Sequence, residues 1–559
     1  MSEIGEKEDY YNVSTEKDVL SKPTWQERII GNEHEKPKKA LRSRHITFIA
    51  LGGTIGTGIF LAIGENVALA GPGGALITYG VVGIFVFAVV VCLCEMAAYI
   101  PNSGAFANYA TRFVDDSFGF ALGINYYLQW AFSIPSELTS AAIIIQFWLP
   151  NIQGWVWAIV IIVPLFLLQL IHVRVYGELE YWEAIIKVIV IVLFIIVGLL
   201  YDWGAIPTAS VPSPGLNNYR NGQAVIGGFQ AFFQGVVYAF YSYGGTELVA
   251  LTSGETAKPW RYIPRAAKTT LLRIFLFMFM TCLVVGLCVN ENSPTLLNAY
   301  YYSDVTASPI TTVFEAAGFG AAKHVINAVL LTAVLSATNS CFYASSRMLM
   351  SMAHSGHMFK VFGWVNNRGV PVAALLMTLL ISCLVFLTTI WGEGVVFTWF
   401  LNITGASSLL TWMSIGFISL RFRLAMKAQG VPLSDLPFKQ YLFPAIPILV
   451  VVLGTFLLAG MGYGSIEEQP FSWKNPFGTY LGVGVFFLSY IGWKVTHWRT
   501  DKFINLRDAD LTTGVVWPKG HGREFLENDK EETKQRILAN RSSKYGQIRY
   551  RWYQVFNMF

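Results

Sequence analysis

The feature that most constrains this chain is a set of long apolar runs without a single charge. Val81 to Cys94 reads VVGIFVFAVVVCLC, and Trp155 to Ile171 reads WVWAIVIIVPLFLLQLI. These are continuous runs, not an alternating pattern, and a helix that crosses a bilayer needs roughly 20 apolar residues. Composition closes the alternative. Of 559 residues, 54% are hydrophobic and 13% charged, against about 25% charged in a soluble domain. Too little polar surface remains to face water, so an all-α integral membrane protein is expected.

Reading the apolar runs against turn and charge signals predicts about 12 transmembrane helices. They fall at 46–70, 74–99, 117–149, 154–173, 181–201, 225–254, 266–290, 323–350, 371–391, 394–421, 441–462 and 474–494. The third is long enough to imply tilt or an extension beyond the bilayer. The domain plan is therefore an N-terminal tail (1–45), a membrane domain (46–494) and a C-terminal tail (495–559).

Lys and Arg favour the cytoplasmic ends of membrane helices. Lys36, Lys38, Lys39, Arg42 and Arg44 precede the first span. Lys258, Arg261, Arg265 and Lys268 follow the sixth; Arg421, Arg423 and Lys427 follow the tenth; Lys494, Arg499 and Lys502 follow the last. The intervening loops hold little beyond Arg220 and Lys474. Both termini are thus expected in the cytoplasm, as an even number of spans requires. No signal peptide is expected at residues 1–45.

The two tails are charged and mostly lack a hydrophobic repeat, so they read as regulatory or trafficking segments. Their lysines could accept ubiquitin from ligase adaptors, although solvated charge is the plainer reading of each. The final RWYQVFNMF, from Arg551, has the aromatic and basic character of a membrane-interface segment. All six cysteines lie in hydrophobic runs, which points to small apolar filler and away from disulfides or a metal pair.

Two spans carry glycine clusters at their middle. The first contains Gly52-Gly53-Thr54-Ile55-Gly56-Thr57-Gly58, and the sixth contains Tyr241-Ser242-Tyr243-Gly244-Gly245-Thr246-Glu247. Glycine costs a helix interior up to about 1 kcal/mol, so such clusters permit unwinding. Unwound backbone in lipid is tolerated only where it lines a cavity or binds something. Close helix packing through Gly52-x-x-x-Gly56 competes as an explanation of the first cluster. The five-span offset between the clusters favours a five-plus-five inverted repeat. Free N–H groups at a half-helix N-terminus suit a carboxylate, and freed carbonyls suit an ammonium. An amino acid has both.

RHITFIALGGTIGTGIF (Arg44–Phe60) resembles the first helix of the yeast amino acid transporter family, within the amino acid–polyamine–organocation superfamily. The similarity continues through GTELVALTSGETAKPWRYIPRA (Gly245–Ala266), INAVLLTAVLSATNS (Ile326–Ser340) and WFLNITGASSLLTW (Trp399–Trp412). The resemblance, to general and basic amino-acid permeases, implies the leucine-transporter fold: ten core helices plus two, with helices 1 and 6 unwound. It implies a plasma-membrane, proton-coupled amino-acid symporter, with the substrate head group held at those two breaks.

Charged residues inside the membrane are functional candidates because their burial is costly. Glu247, in the Gly-Thr-Glu signature, either caps the restarting half-helix or takes part in proton coupling. Lys187 either snorkels to the interface or, as the resemblance implies, carries the proton-linked charge. Glu137, just after Pro135, is placed to pair with a cationic substrate side chain, though a Glu-Leu pair occurs there in basic-selective and broad permeases alike. Glu95 reads as a gate or packing residue. By resemblance, Ser136, Tyr241, Tyr243, Thr246, Thr404 and Ser407 face the substrate, with Tyr241 or Tyr243 as an aromatic lid. The substrate set is completed by Thr54, Ile55, Gly56, Thr57, Gly58, Gly244 and Gly245. Several basic-amino-acid permeases have glutamine where this chain has Gly244, which leaves side-chain preference open.

No His-rich, Cys-rich or paired-Asp cluster and no P-loop is found, so neither an enzyme nor an ATP-driven pump is expected. The expected partners are an amino acid, a proton and membrane lipid, with no nucleic acid and no cofactor beyond the proton gradient. An exchanger or a nutrient-sensing receptor of the same fold is the competing reading.

Overall fold

The computed structural model describes residues 55, 56, 58–102, 104–171, 173–220, 222–256, 258–294, 296, 308–320, 322–466 and 473–539. Among these it is built from helices, with no β-strand. The start of the first expected span, the whole N-terminal tail with its basic cluster and the aromatic C-terminus lie outside the described residues.

A five-residue π turn (Gly58–Ala62) leads into α1 (Ile63–Tyr99), which turns a corner at Gly71-Pro72. Gly71 has φ +74°, a conformation open mainly to glycine. The amides of Gly73 and Gly74, left without helical acceptors there, donate to the Ala224 carbonyl at 2.7 and 3.1 Å. This corner separates the first two expected spans. After α2 (Ala105–Phe113), α3 (Asp116–Gln146) begins at the N-cap Asp115, whose carboxylate accepts from the Phe118 amide at 2.7 Å.

There follow α4 (Gly154–Gln169), α5 (Val173–Asp202), α6 (Gly228–Tyr243) and the single turn α7 (Leu248–Leu251). Next come α8 (Pro259–Arg273), α9 (Met280–Cys288), α10 (Pro309–Ala316) and α11 (Ala322–His354). The chain continues with α12 (Val372–Ser382), α13 (Thr388–Trp391), α14 (Glu393–Ala428), α15 (Ala445–Ile466), α16 (Lys474–Thr496) and α17 (Gly522–Ala539). Every one of the expected intervals contains helix.

Among the described residues, six helical stretches are long and apolar enough to cross a membrane by length and composition alone, among them Gly58–Tyr99, Lys323–His354 and Ala445–Ile466. The 31-residue α3 is not one of them, and the reason is visible in its packing. Its Asn125, Gln129, Ser136, Glu137, Thr139 and Ser140 are all buried against α11 and α14, so they face protein and not lipid. The outer surface is the inverse of a soluble protein's. Ile84, Ile196, Leu380, Val452 and Leu488 all stand exposed, as a bilayer solvent allows.

The charged C-terminal segment packs along one end of the bundle. Asp501 accepts from the amides of Asp116 and Ser117 and from Lys494, so it caps α3. The Val516 amide donates to the Tyr99 carbonyl, and Asp435 receives the amides of Gly520 and Gly522. Asp529 of α17 pairs with Arg261 at 2.6 Å and Lys258 at 3.4 Å. The basic segments after the sixth and tenth expected spans are thereby gathered at the same end as the C-terminal segment. Four of the six cysteines are buried, Cys288 is half-buried and Cys383 exposed; all are free.

Candidate functional site

The polypeptide is interrupted where the glycine clusters lie. α6 stops at Tyr243, the chain turns through Gly244 to Glu247 with Gly245 at φ +83°, and α7 resumes at Leu248. Ile55 and Gly56 are non-helical and lead into the π turn at Gly58. The two interruptions touch. A Cβ on Gly58 would overlap the Cα of Ser242, and Ser242 Oγ lies 2.9 Å from the Gly58 carbonyl. Only glycine lets the two backbones approach this closely.

Beside this crossing is a cavity whose empty space, its open mouth included, is about 510 Å³. Gly56 and Gly58 form one wall and Tyr241 and Gly244 a second; Ala337 and Cys341 of α11 and Thr404 and Ser408 of α14 complete the frame. α3 contributes Gln129, Trp130, Ser133 and Glu137. Glu137 is the one carboxylate among these lining residues. Its Oε1 accepts from the Tyr241 hydroxyl at 2.9 Å, and a Cβ on Gly56 would come within 3.3 Å of the same oxygen. Ser133, Thr404 and Ser408 send their hydroxyl protons to carbonyls one turn back, which leaves their oxygens as acceptors toward the cavity.

Of the residues expected to hold substrate, Gly56, Gly58, Glu137, Tyr241, Gly244 and Thr404 line this cavity. Thr54 and Thr57 lie outside the described residues. Ile55, Ser136, Tyr243, Gly245, Thr246 and Ser407 are not in the lining. Ile55 and Ser136 are fully enclosed. Tyr243 points into α1, where its hydroxyl donates to the Tyr79 carbonyl at 2.9 Å. Ser407 faces α16, against Gly482, and its neighbour Ser408 faces the cavity. Gln129, Trp130, Ser133, Ala337, Cys341 and Ser408 had not been singled out. Gln129, Ser133 and Glu137 recur every four residues, one face of a helix, so the polar row was there to be read.

Glu247 stands at the start of α7 but makes no side-chain cap. Its Oε2 instead accepts from Trp412 Nε1 at 3.2 Å, with Thr246 Oγ1 at 3.5 Å. Lys187 is fully buried in α5. Its ammonium donates to Ser336 Oγ at 2.6 Å, and Ser336 in turn donates to Glu180 Oε1 at 2.9 Å. Ser340 adds a second bond to the same carboxylate oxygen at 3.1 Å. Glu180, Glu183 and Lys187 sit at i, i+3 and i+7 of one helix face, a pattern that marks a local charge cluster. Ser336 and Ser340 immediately precede the cavity residues Ala337 and Cys341, so the cluster and the cavity share α11. Glu95 is buried, accepts from the Gln440 amide and side chain, and forms an ion pair with Arg423 at 3.3 Å. No group of three or more potential metal ligands occurs among the described residues.

Residues 45–504 match the amino acid permease family. The lysine-specific permease of Escherichia coli is 39% identical over 459 residues, 82% of this chain and 93% of the relative. The histidine permease of Lactococcus lactis is 38% identical over 476 residues, 85% of this chain and 98% of the relative. An S-adenosylmethionine permease of Candida albicans is 36% identical over 494 residues, covering 87% and 80%.

Proposed function

Because the chain belongs to the amino acid permease family, we propose that it is a proton-driven symporter for amino acids with a cationic side chain. The observation that carries the reading is Glu137, a carboxylate on the wall of a cavity that also has backbone breaks at two sides. The breaks supply what an amino-acid head group requires. Amides of Gly56 and Gly58 take the carboxylate, and carbonyls at the C-terminal end of α6 take the ammonium. Glu137 then faces the side-chain charge. The relatives fit this chemistry, since lysine and S-adenosylmethionine both carry a positive side chain at neutral pH.

Alternating access through the bundle delivers the substrate across the membrane. Lys187 is the proton-linked residue in this reading, because its ammonium belongs to a buried charge cluster that shares α11 with the cavity. Glu247 organises the restart of the broken helix through Trp412. In this reading the protein resides in the plasma membrane with both termini in the cytoplasm, which the Lys and Arg of the segments after the sixth and tenth spans support.

The test is uptake of radiolabelled lysine, arginine, histidine, leucine and glutamate in permease-deficient yeast, with and without a protonophore. Uptake of cationic amino acids abolished by the protonophore is the expected result. Uptake that survives the protonophore would replace symport by exchange or facilitated flow. Equal uptake of leucine and lysine would remove Glu137 as the selecting charge.

A further inference from the structure

A buried ion pair lies between the cavity and the end of the bundle that carries the C-terminal segment. Downstream of the break, α7 runs into a 3₁₀ turn (Thr252–Glu255). There the fully buried Glu255 accepts from Nε of Arg347 at 2.8 Å. Arg347 is itself almost completely enclosed, with its guanidinium 4.9 Å from the Tyr343 ring centroid. Arg347 belongs to α11, six residues beyond the cavity residue Cys341, or about 9 Å along the helix axis. On the other partner's strand of chain, Lys258 and Arg261 follow Glu255 closely and hold Asp529 of the C-terminal segment. The pair therefore joins the segment that follows the broken helix to a helix that forms the cavity wall, and it does so on the path from the cavity to that end.

Burying two charges to hold a fold together gives little, because an apolar pair of similar volume is generally as stable. An ion pair has a different merit where two surfaces must part and rejoin. On opening, water solvates both charges and replaces the lost bond, whereas separated apolar surfaces stay unfavourably exposed. The ion pair here rests on one hydrogen bond, from Arg347 Nε. Arg347 Nη1 has no hydrogen-bond partner among the described residues, which suits a contact made to be broken.

We propose that Glu255 and Arg347 form the gate that shuts the cavity toward the end bearing the C-terminal segment, and that transport requires the 248–255 segment to part from α11. This gate rests on the transport reading, since only alternating access needs one. Its first test, the labelling of a cavity thiol, needs no transport.

The native thiol of Cys341 lines the cavity and serves as the probe. Full-length protein with Cys288 and Cys383 replaced by serine is placed in vesicles, and a C-terminal tag identifies the face that carries the tail. A membrane-impermeant methanethiosulfonate reagent is applied at that face. E255Q and R347M are expected to raise the rate of Cys341 modification at least tenfold. A rate within twofold of the parent, in a variant that is monodisperse in detergent, overturns the gate. Should either single variant fail to fold, the paired E255L/R347M removes both charges and leaves none unpaired. With a gate that cannot hydrate, it is expected to keep Cys341 protected and slow substrate exchange at least tenfold at unchanged affinity. Parental exchange rates in that variant would reduce the pair to a structural contact. If the parent protein moves no amino acid at all, the transport reading fails, while the labelling rates still decide whether the pair closes the cavity.

Discussion

The hydroxyl of Tyr241 donates to Oε1 of Glu137 across 2.9 Å, tying the helix that ends at the glycine break to the helix that carries Pro135. The bond aims a carboxylate into the cavity and couples its position to the break. A hydrogen bond to a charged group contributes roughly 1.5–3 kcal/mol. Y241F is therefore expected to raise KM for lysine about tenfold to hundredfold. E137Q should do at least as much, with neutral amino acids changed less than about threefold by either. Competition uptake with lysine and leucine checks this. Equal losses for both substrates would show that Tyr241 and Glu137 hold the fold, not the side chain.

The two cavity glycines should not tolerate alanine equally. At Gly56 a Cβ would sit 3.0 Å from Ala337 Cβ and 3.3 Å from Glu137 Oε1, so neighbours need move only a few tenths of an ångström. At Gly58 the same atom would overlap the backbone of Ser242, which cannot give way without separating the two breaks. G56A is expected to keep measurable uptake with a raised KM, and G58A to lose uptake at normal surface abundance. Flow cytometry of a tagged protein alongside uptake separates the two effects. Equal activity of the two variants would mean that the breaks do not need this contact.

Lys187, Ser336 and Glu180 form a chain of two hydrogen bonds inside the protein. Removing one partner of a buried charge pair leaves the other uncompensated, at a cost of about 3–5 kcal/mol. K187A is expected to abolish accumulation against a gradient while homoexchange of preloaded substrate persists, provided the variant reaches the membrane. E180Q keeps the hydrogen-bond geometry and should retain exchange with a weakened pH dependence of uptake. Full protonophore-sensitive accumulation by K187A would take Lys187 out of proton coupling.

How far the sequence reached depends on what kind of force builds each feature. The helices were legible because a bilayer demands long apolar runs, and each expected interval contains helix. The break at Gly244-Gly245 was legible because glycine pairs are costly in a helix and so mark a turn. What escaped was rotation about a helix axis. Ser407 and Ser408 are adjacent and chemically equal, and only the packing of Gly482 against Ser407 sends Ser408 to the cavity. Tyr241 and Tyr243 differ in the same way, one toward Glu137 and the other toward Tyr79. Partners distant in sequence also escaped: Lys187 reads as a lone charge until Ser336, 149 residues away, completes its bond to Glu180. The C-terminal segment left little trace because scattered anchors attach it, single carboxylates and backbone amides together with isolated apolar side chains such as Leu511 and Trp517, with no apolar repeat.

That attachment has a pH signature centred on Asp501, outside the membrane helices. Burial pushes its carboxyl up, but the hydrogen bonds from Ser117 and Lys494, with the Lys494 charge and the Asp116 amide, outweigh burial and hold it below the usual range. Nearby, Asp510 is lowered to about 2, with burial opposed by bonds from Thr513 and Thr512. A carboxyl with a lower pKa in the folded protein stabilises above its unfolded value of about 4. The contribution disappears as pH falls from there through the folded value. The segment should therefore stay docked at neutral and mildly acidic pH and loosen only below about pH 4. A spin label at R507C, with Cys383 replaced by serine, reports this directly. Its spectrum is expected to stay immobilised from pH 7 to about 4.5 and to sharpen below. D501N removes the anion that caps α3 and pairs with Lys494, so its label should already be mobile at pH 7. An immobilised D501N label at pH 7 would show that the segment is held by its other contacts, Asp435 and Asp529, without the help of Asp501.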